Sequence, residues 1–317
     1  MTADAEAGDG APGTGVEDSA RRCGFVAIVG APNVGKSTLV NRLVGSKVSI
    51  VSPKVQTTRA RVLGIALLGE TQALLVDTPG LFAPRRRFDQ AMVAAAWEGA
   101  AGADLITLIV DASRGPQAAT EAAPVFDWLR ERRHQAVVVL NKVDVAEKSR
   151  LLALTAEISD PDLCSAVFMV SALNGDGVAD LAAHLARTLP PGPWLYPDDQ
   201  LSDMPARLLA AEVTREKLFL QLQQELPYSV AVQTESWADH DNGSVRIDQI
   251  IWVEREAQRP IVLGRSGQRI KKIGEQARRE LESLLDRRVH LFLYVKIREK
   301  WRQDPAFYRL HGLNFPE

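Results

Sequence analysis

Short apolar runs alternate with helix-like segments over residues 24–190 of the chain. Val and Ile dominate the runs, and charged residues come at their C-terminal ends, which is typical of buried strands in a parallel sheet covered by helices on both faces. Five such strands are predicted, at 25–30, 73–80, 105–113, 136–144 and 166–172. The run at 60–68 predicts one more strand, at an antiparallel edge. Because open α/β sheets bind ligands at the carboxyl ends of their strands, we expect a site there.

The pattern changes after a stretch rich in Pro and Asp at 189–205, which predicts a linker. An amphipathic helix, two alternating strands, a glycine loop, a second helix and a last strand are then predicted, which together make a small α+β domain. The first helix is predicted at 206–226 and the two strands at 229–237 and 245–256. The glycine loop lies within 261–270, the second helix runs on to about residue 285, and the last strand is at 289–297. The predicted division of the chain is an acidic tail at 1–21, an α/β domain at 22–190, a linker at 191–204 and an α+β domain at 205–317.

Composition narrows the class of protein. The chain has 317 residues, of which 46% are hydrophobic and 25% charged, so it is an ordinary globular chain with room for two domains. No apolar run approaches the length of a membrane span, and the first residues lack the basic and apolar regions of a signal peptide. Residues 1–21 are instead predicted to be disordered. Cys23 and Cys164 lie far apart in the chain, which fits a reducing cytosol.

The stretch GAPNVGKS, from Gly30 to Ser37, matches the phosphate-binding pattern G-x-x-x-x-G-K-[ST]. It follows a predicted strand and begins a predicted helix, a context that disfavours a chance glycine turn. Its backbone N–H groups are expected to surround phosphate oxygens, with Lys36 on the β- and γ-phosphates and the Ser37 hydroxyl on Mg²⁺. The predicted nucleotide-binding residues here are Gly30, Asn33, Val34, Gly35, Lys36, Ser37 and Thr38.

Two further segments are predicted to complete the phosphate end of the site. In DTPG, at 77–80, Asp77 is expected to hold Mg²⁺ through water and the Gly80 N–H to contact the γ-phosphate. The segment KVQTTRAR offers Thr57 and Thr58 as a third metal ligand, and we favour Thr58. Lys36, Thr58 and Gly80 are therefore the predicted catalytic groups. The preceding stretch, 45–53, is expected to be a mobile loop that is too irregular to pack.

Two strand ends predict a preference for guanine. The NKVD segment places Asp144 where its carboxylate can accept hydrogen bonds from the guanine N1–H and exocyclic amine, a donor pair that adenine lacks. Asn141 is expected to brace the loop and Lys142 to lie along the base. The segment from Ser171 to Leu173 is expected to offer the Ala172 N–H to the guanine O6.

This set of motifs resembles the translation-factor-related GTPases, which implies hydrolysis of GTP to GDP and phosphate. Ras-like GTPases place a glutamine after the D-x-x-G glycine to orient the attacking water. Leu81 stands there in this chain, with Phe82 next. The chain is thus either a GTP-binding scaffold without hydrolysis or a GTPase that activates water differently. Relatives that use potassium carry an asparagine in the phosphate loop, and Asn33 matches it, so we expect slow, K⁺-stimulated hydrolysis.

A second glycine loop, Gly264-Arg265-Ser266-Gly267, lies between an apolar run and a basic helix that carries Arg269, Lys271 and Lys272. Four residues alone are weak evidence, since an ordinary turn before a helix has the same pattern. Residues 259–302 hold thirteen Lys and Arg against five Asp and Glu, however. KH domains use such a loop to bind the backbone of single-stranded RNA, and the element order fits a type II KH domain. These seven residues are the predicted RNA-binding residues.

The two domains together closely resemble the Era family, from about residue 24 to about residue 312. The resemblance rests on GAPNVGKSTLVNRLVG, DTPGL, NKVD, VSALNGDGV and VEREAQRPIVLGRSGQRIKKIG. It implies a ribosome-assembly GTPase whose KH domain binds the 3′ end of small-subunit (16S) ribosomal RNA in the 30S subunit, favoured by GTP. It also implies GTP or GDP with Mg²⁺ as ligands and a cytoplasmic monomer partly associated with the inner face of the cell membrane. The alternative is a GTPase switch whose second domain binds protein.

Overall fold

A computed structural model of the chain describes residues 21–54, 57–59, 61–81, 87–305, 308 and 315. The first domain is built on a six-stranded sheet in the order β2-β3-β1-β4-β5-β6. These strands are β1 Arg22–Val29, β2 Val62–Leu68, β3 Thr71–Asp77, β4 Leu105–Asp111, β5 Ala136–Asn141 and β6 Cys164–Val170. The helices around them are α1 Lys36–Val44, α2 Arg87–Ala101, α3 Gln117–Arg132, α4 Lys148–Ile158 and α5 Val178–Thr188.

Strand pairing confirms the mostly parallel sheet. Strand β1 lies between β3 and β4, and β4, β5 and β6 follow in parallel. Strand β2 pairs only with β3, in antiparallel register, and forms the predicted edge. Alternate side chains of the central strands enter separate apolar layers on the two faces of the sheet: Ile28 packs near α1 and α5, whereas Val29 packs near α3. Burial on both faces explains why the strands are continuous apolar runs.

The second domain has the predicted α+β order. Helix α6 Ala206–Gln221 precedes β7 Val230–Asp239 and β8 Val245–Val253, and α7 Arg259–Leu263, α8 Gln268–Leu285 and β9 Val289–Ile297 follow. Strand β8 is central, antiparallel to β7 and parallel to β9. Apolar side chains of α6 and α8 meet one face of this sheet, for example Leu218 and Ile273 against Ile251. Helix α6 ends at Gln221, before the predicted helix end at Leu226, because Leu222 adopts extended dihedral angles.

The segment between the domains packs along the edge of the first sheet. Trp194 and Tyr196 lie against an apolar cluster that includes Leu63. The Ser202 hydroxyl donates to the Leu63 carbonyl at 2.6 Å, and the Ile65 N–H donates to the Leu201 carbonyl at 2.9 Å. These contacts occupy backbone groups of β2 that an edge strand otherwise leaves unpaired.

The expectation that residues 45–53 are too irregular to pack is wrong. This stretch has no regular structure, yet Val48, Ser49 and Ile50 are buried. The side chain of Asn41 explains why: its oxygen accepts from the N–H groups of Val48 and Ser49, and its amide nitrogen donates to the Ser49 carbonyl. These hydrogen bonds replace a regular element, so the backbone can be buried at little cost.

None of the helices in the described part of the chain is long and apolar enough to cross a membrane. The predicted acidic tail, residues 1–21, lies outside the described residues except for its last residue, Arg21.

Helix α4 offers a matched pair of leucines that tests the burial pattern. Leu154 is 5% exposed and belongs to the core, whereas Leu152 is 76% exposed. We expect Leu154→Ala to lower the free energy of unfolding of the first domain by about 2–5 kcal/mol, because it leaves a cavity. Leu152→Ala should change it by no more than about 0.5 kcal/mol. Urea unfolding monitored by circular dichroism measures the free energy of unfolding of both variants. Equal losses of this free energy would contradict the assignment of the buried face of α4.

Candidate nucleotide and nucleic-acid sites

The predicted site residues of the first domain meet at the carboxyl ends of β1, β3, β5 and β6. A cleft of about 350 Å³ opens there, lined among others by Asn33, Lys36, Ser37, Thr58 and Gly80. A second cleft of about 390 Å³, lined by Arg42, Ala172 and Leu173, shares Thr38 and Val51 with the first. The two clefts therefore adjoin, one beside the phosphate loop and the other beside the predicted base-binding segment at 171–173.

Backbone conformation explains the glycines of the phosphate loop. Gly30, Asn33 and Gly35 have φ values of +148°, +64° and +100°, a conformation that L side chains rarely adopt. A Cβ on Gly35 would also lie 2.2 Å from the side-chain nitrogen of Asn141. Gly35 precedes α1, whose first turn has no acidic residue. The loop therefore presents N–H groups and the positive end of the helix dipole to the cleft, as anion binding requires.

Lys36 is buried beside this loop. Its ammonium donates to the carbonyl oxygens of Gly30 at 3.1 Å and Ala31 at 2.9 Å. Burial lowers the pKa of Lys36 to about 8, although the nearby Asp77 carboxylate acts in the opposite direction. Phosphate oxygens would supply the negative charge that the buried ammonium needs.

Asp77, at the end of β3, accepts hydrogen bonds from three segments. Its Oδ2 accepts from Ser37 Oγ at 2.6 Å and Ser49 Oγ at 2.7 Å, and Thr58 Oγ1 lies 3.5 Å away. Burial raises the pKa of the carboxyl, against the hydrogen bonds and the charge of Lys36. The other oxygen, Oδ1, is buried without a hydrogen-bond partner among the described residues. Hydroxyl and carboxylate oxygens are ligands that Mg²⁺ prefers, so the site fits that ion.

The structure distinguishes the two candidate threonines. Thr58 Oγ1 lies 3.0 Å from Ser37 Oγ, within the cluster around Asp77. Thr57 Oγ1 instead contacts Ser52 Oγ at 2.6 Å and donates to the Lys54 carbonyl at 2.6 Å. The geometry therefore favours Thr58 as the metal ligand, and this assignment stays a prediction.

Gly80 passes close to the phosphate loop. A Cβ there would lie 2.8 Å from the Cα of Pro32, so only glycine fits this approach. The N–H of Leu81 donates to the Gly30 carbonyl at 3.0 Å, and its side chain packs at the margin of the apolar core. Leu81 is thus a packing residue with no polar group for water. Phe82 lies outside the described residues.

Asn141 joins the phosphate loop to the Ser171–Leu173 segment. Its amide donates to the Val34 carbonyl at 2.7 Å, and its oxygen accepts from the Ala172 N–H at 2.9 Å. This matches the predicted bracing role, but it gives the Ala172 N–H a protein partner that a guanine O6 would have to share. Ser171 is buried and Leu173 is exposed.

Lys142 and Asp144 have different surroundings. The Lys142 ammonium donates to the Asn33 carbonyl at 2.7 Å and pairs with Asp111 Oδ2 at 2.6 Å. Its stem is therefore fixed across the entrance of the phosphate loop, and its contact with a base stays a prediction. Asp144 is exposed. Since solvent weakens the selectivity that a buried acceptor provides, the expected rejection of ATP depends on the base covering this carboxylate.

Three residues with a part in this geometry were not predicted. Ser49 bonds to Asp77, Asp111 holds Lys142, and the Arg42 guanidinium donates to the carbonyls of Ala172 and Leu173. Asp111 ends β4 at the same sheet edge, so strand-end position was a usable signal. Ser49 and Arg42 carry no such signal, because only the path of the chain brings them to the site.

The second glycine loop lies between α7 and α8. Gly264 and Gly267 have φ values of +74° and +73°, and Ser266 has +50°. A Cβ on Gly264 would lie 2.6 Å from the Cβ of Arg269, whereas a Cβ on Gly267 would meet no atom within 4 Å. Gly264 is therefore required by packing, and Gly267 borders open space that a ligand can approach closely.

The basic residues around this loop are not equivalent. Arg265, Lys271 and Lys272 are exposed, as contacts to RNA phosphates require. Arg269 is half-buried, and its guanidinium donates to the Ile261 carbonyl. Arg269 thus closes the turn between α7 and α8, which leaves less of its side chain for a ligand than the sequence predicted.

Comparison with known proteins supports a GTPase domain followed by a KH domain. The family model described as 50S ribosome-binding GTPase matches residues 25–142, and the KH domain model matches residues 225–302. GTPase Era of Bradyrhizobium sp. (strain ORS 278) is 53% identical over 316 residues, covering 100% of this chain and 99% of that protein. GTPase Era of Rhizobium meliloti (strain 1021) is 55% identical over 296 residues, covering 93% of this chain and 94% of that protein.

Two solved structures share the arrangement of both domains. One is Era in complex with MgGDPNP and nucleotides 1506–1542 of 16S ribosomal RNA, with a TM-score of 0.85 and 39% identity over 92% of this chain and 99% of that chain. The other is a variant of Aquifex aeolicus Era bound to GDP and AlF₄⁻, with a TM-score of 0.84 and 40% identity over the same shares. From its two domains, its sites and these full-length relatives, the chain belongs to the Era family of GTPases.

Proposed function

We propose that this chain is a GTP-hydrolysing switch that binds the 3′ end of 16S ribosomal RNA and acts in assembly of the 30S subunit. One observation carries the proposal: a GTPase phosphate site centred on Asp77 and a KH-type glycine loop occur in one chain. Era with MgGDPNP and an RNA segment of 16S origin, to which this chain is similar over 92% of its length, supports both ligands.

In hydrolysis the chain's own groups bind and orient the triphosphate. The phosphate loop and Lys36 hold the β- and γ-phosphates, and the Gly80 N–H contacts the γ-phosphate. Mg²⁺, held by Ser37, Thr58 and the Asp77 carboxylate, would neutralise charge that develops on the phosphate oxygens. Asp144 gives the preference for guanine, and Asn141 holds the Ala172 segment beside the phosphate loop.

Slow turnover follows from Leu81, which cannot orient water. Asn33 supports a role for K⁺ in place of the missing glutamine. Its amide nitrogen donates to the Pro53 carbonyl at 2.9 Å, so it links the phosphate loop to the loop that carries the threonines. An amide oxygen and loop carbonyls beside the phosphates are suitable ligands for a cation that offsets the developing charge.

The RNA site consists of the glycine loop with Arg265, Lys271 and Lys272. Gly267 begins α8, and no acidic residue occupies the first turn of that helix, so phosphates meet N–H groups and positive charge. A cytoplasmic monomer, with peripheral association at the inner face of the cell membrane, completes the proposal from the family resemblance.

The deciding experiment is RNA crosslinking and sequencing with the protein locked by a non-hydrolysable GTP analogue, repeated with GDP. Enrichment of the 3′ end of 16S RNA with the analogue alone would support the whole proposal. Scattered crosslinks, or crosslinks that ignore the nucleotide, would reduce it to a GTPase whose second domain binds another partner, such as a protein.

We expect GTP turnover to rise by about tenfold or more in KCl compared with NaCl, because K⁺ would perform part of the work of an arginine finger. Asn33→Gly keeps the positive φ of this position and removes the amide, so it should lose the difference while its rate in NaCl stays near that of the parent. Phosphate release in the two salts measures both. Equal rates of GTP turnover by the parent protein in KCl and NaCl would show that K⁺ has no part in the mechanism.

Nucleotide binding should take up a proton at alkaline pH. Burial lowers the pKa of Lys36 to about 8, and bound phosphates would raise it again, so GDP binding at about pH 9 should take up nearly one proton and at about pH 7 almost none. The affinity for GDP should accordingly fall as the pH rises above about 8, where Lys36 loses its proton in the protein without nucleotide. Calorimetry in two buffers with different ionisation enthalpies measures the uptake. Buffer-independent heats at the alkaline pH would contradict the assignment of Lys36.

Gly267→Asp should weaken RNA binding by about tenfold or more, because it places a carboxylate where phosphates approach. The parent's affinity should fall steeply with salt, by about 0.7 units of log–log slope for each phosphate neutralised. Gly243→Asp is the matched control: it too has a positive φ and open space, in the turn between β7 and β8. Equal weakening by both variants would show that the glycine loop is not the RNA site.

A further inference from the structure

The loop that carries Thr58 is held by the second domain at several points. Lys47 pairs with Glu216 on α6 at 2.7 Å and with Glu280 on α8. The Val51 N–H donates to the Glu216 carboxylate at 2.8 Å, and the Lys54 ammonium donates to carbonyls at the C-terminal end of α6. The loop thus lies between the nucleotide cleft and α6, with contacts to both.

The two residues next to Thr58 also contact the second domain. The Thr57 carbonyl accepts from Arg215 Nη2 on α6. On the other side, the Arg59 guanidinium donates to the carbonyls of Val230 at 2.9 Å and Tyr228 at 3.3 Å. The second domain therefore fixes the backbone immediately before Thr58 and the side chain immediately after it.

Arg215 is built into this position. Its Nε donates to Glu212 Oε1 at 2.8 Å, and its guanidinium carbon lies 5.0 Å from the centre of the Phe219 ring. The side chain is 1% exposed, and Glu212 and Phe219 are also buried. A planar guanidinium held by a carboxylate and a ring is rigid, so its Nη2, which donates to Glu212 Oε2 as well as to the Thr57 carbonyl, defines where that carbonyl lies.

We propose that Arg215 is a positioning residue for GTP hydrolysis, which acts from the second domain by holding the Thr57 carbonyl and so placing the Thr58 hydroxyl beside Ser37 and Asp77. This inference rests on the proposed function and deepens it. Switch loops contact Mg²⁺ and the γ-phosphate in the triphosphate state and are released after hydrolysis. The contact with Arg215 consequently supports GTP binding and turnover and contributes little to GDP binding.

The test compares three full-length variants at one position and a control on the same helix. Arg215→Ala should lower kcat by about tenfold to a hundredfold, the cost of a displaced catalytic group. Its affinity for a non-hydrolysable GTP analogue should fall by a similar factor, while GDP affinity stays within about twofold, since the analogue alone depends on the placed loop. Arg215→Lys, which keeps the charge and one donor, should recover part of kcat. Arg207→Ala, which removes an exposed arginine bonded within its own domain to the Glu235 carbonyl, should match the parent.

Normal GDP affinity also shows that the nucleotide site is folded. If Arg215→Ala fails to bind GDP, Arg215→Gln carries the test, because it retains most of the packing on Phe219 and can reach Glu212. Unchanged kcat and an unchanged ratio of analogue to GDP affinity in the variant that binds GDP would overturn the proposal and leave the GTPase function intact. A parent protein that releases no phosphate from GTP would instead overturn the proposed function.

Discussion

A buried carboxylate, Asp77, is the constraint on which the nucleotide site depends. It ends a strand that is paired on both sides, so its position is fixed by the sheet. Hydroxyls from α1 and from the loop after it converge on one of its oxygens. A desolvated carboxylate needs such donors or a cation to remain charged. The need for these donors therefore brings the phosphate loop and the loop that carries Thr58 together around Asp77, where a metal fits.

The two glycine loops apply one physical solution to two ligands. In each, a glycine with a positive φ comes directly before a helix, Gly35 before α1 and Gly267 before α8, and neither helix has an acidic residue in its first turn. Both therefore offer N–H groups and a positive dipole end to phosphate. Their surroundings differ: Gly35 is packed against Asn141, as suits an enclosed nucleotide, whereas Gly267 faces open space, as suits a long RNA chain.

A charged cluster connects the two sites physically. Lys47 follows α1, and it meets Glu216 and Glu280, which Lys217 also contacts. The two lysines hold the pKa of the half-buried Glu280 carboxyl below its usual range, against the effect of burial. Glu280 lies on α8, the helix that begins at the second glycine loop. Helix α8 thus begins beside the second glycine loop and, at Glu280, reaches Lys47 in the loop that carries Thr58, so the two proposed ligand sites are joined through one helix.

The sequence by itself determined the sheet, its antiparallel edge, the two-domain order and most of the site, because continuous apolar strands, glycines at constrained turns and polar residues at strand ends are local signals. It failed for residues 45–53, whose burial depends on hydrogen bonds from Asn41 and on ion pairs to α6 and α8. It also could not choose Thr58 over Thr57 by geometry or identify Arg215 and Ser49. The contacts of Ser49 and Thr58 join separate segments of the first domain, and those of Arg215 and Lys47 join the two domains, so all of them exist only in the folded chain.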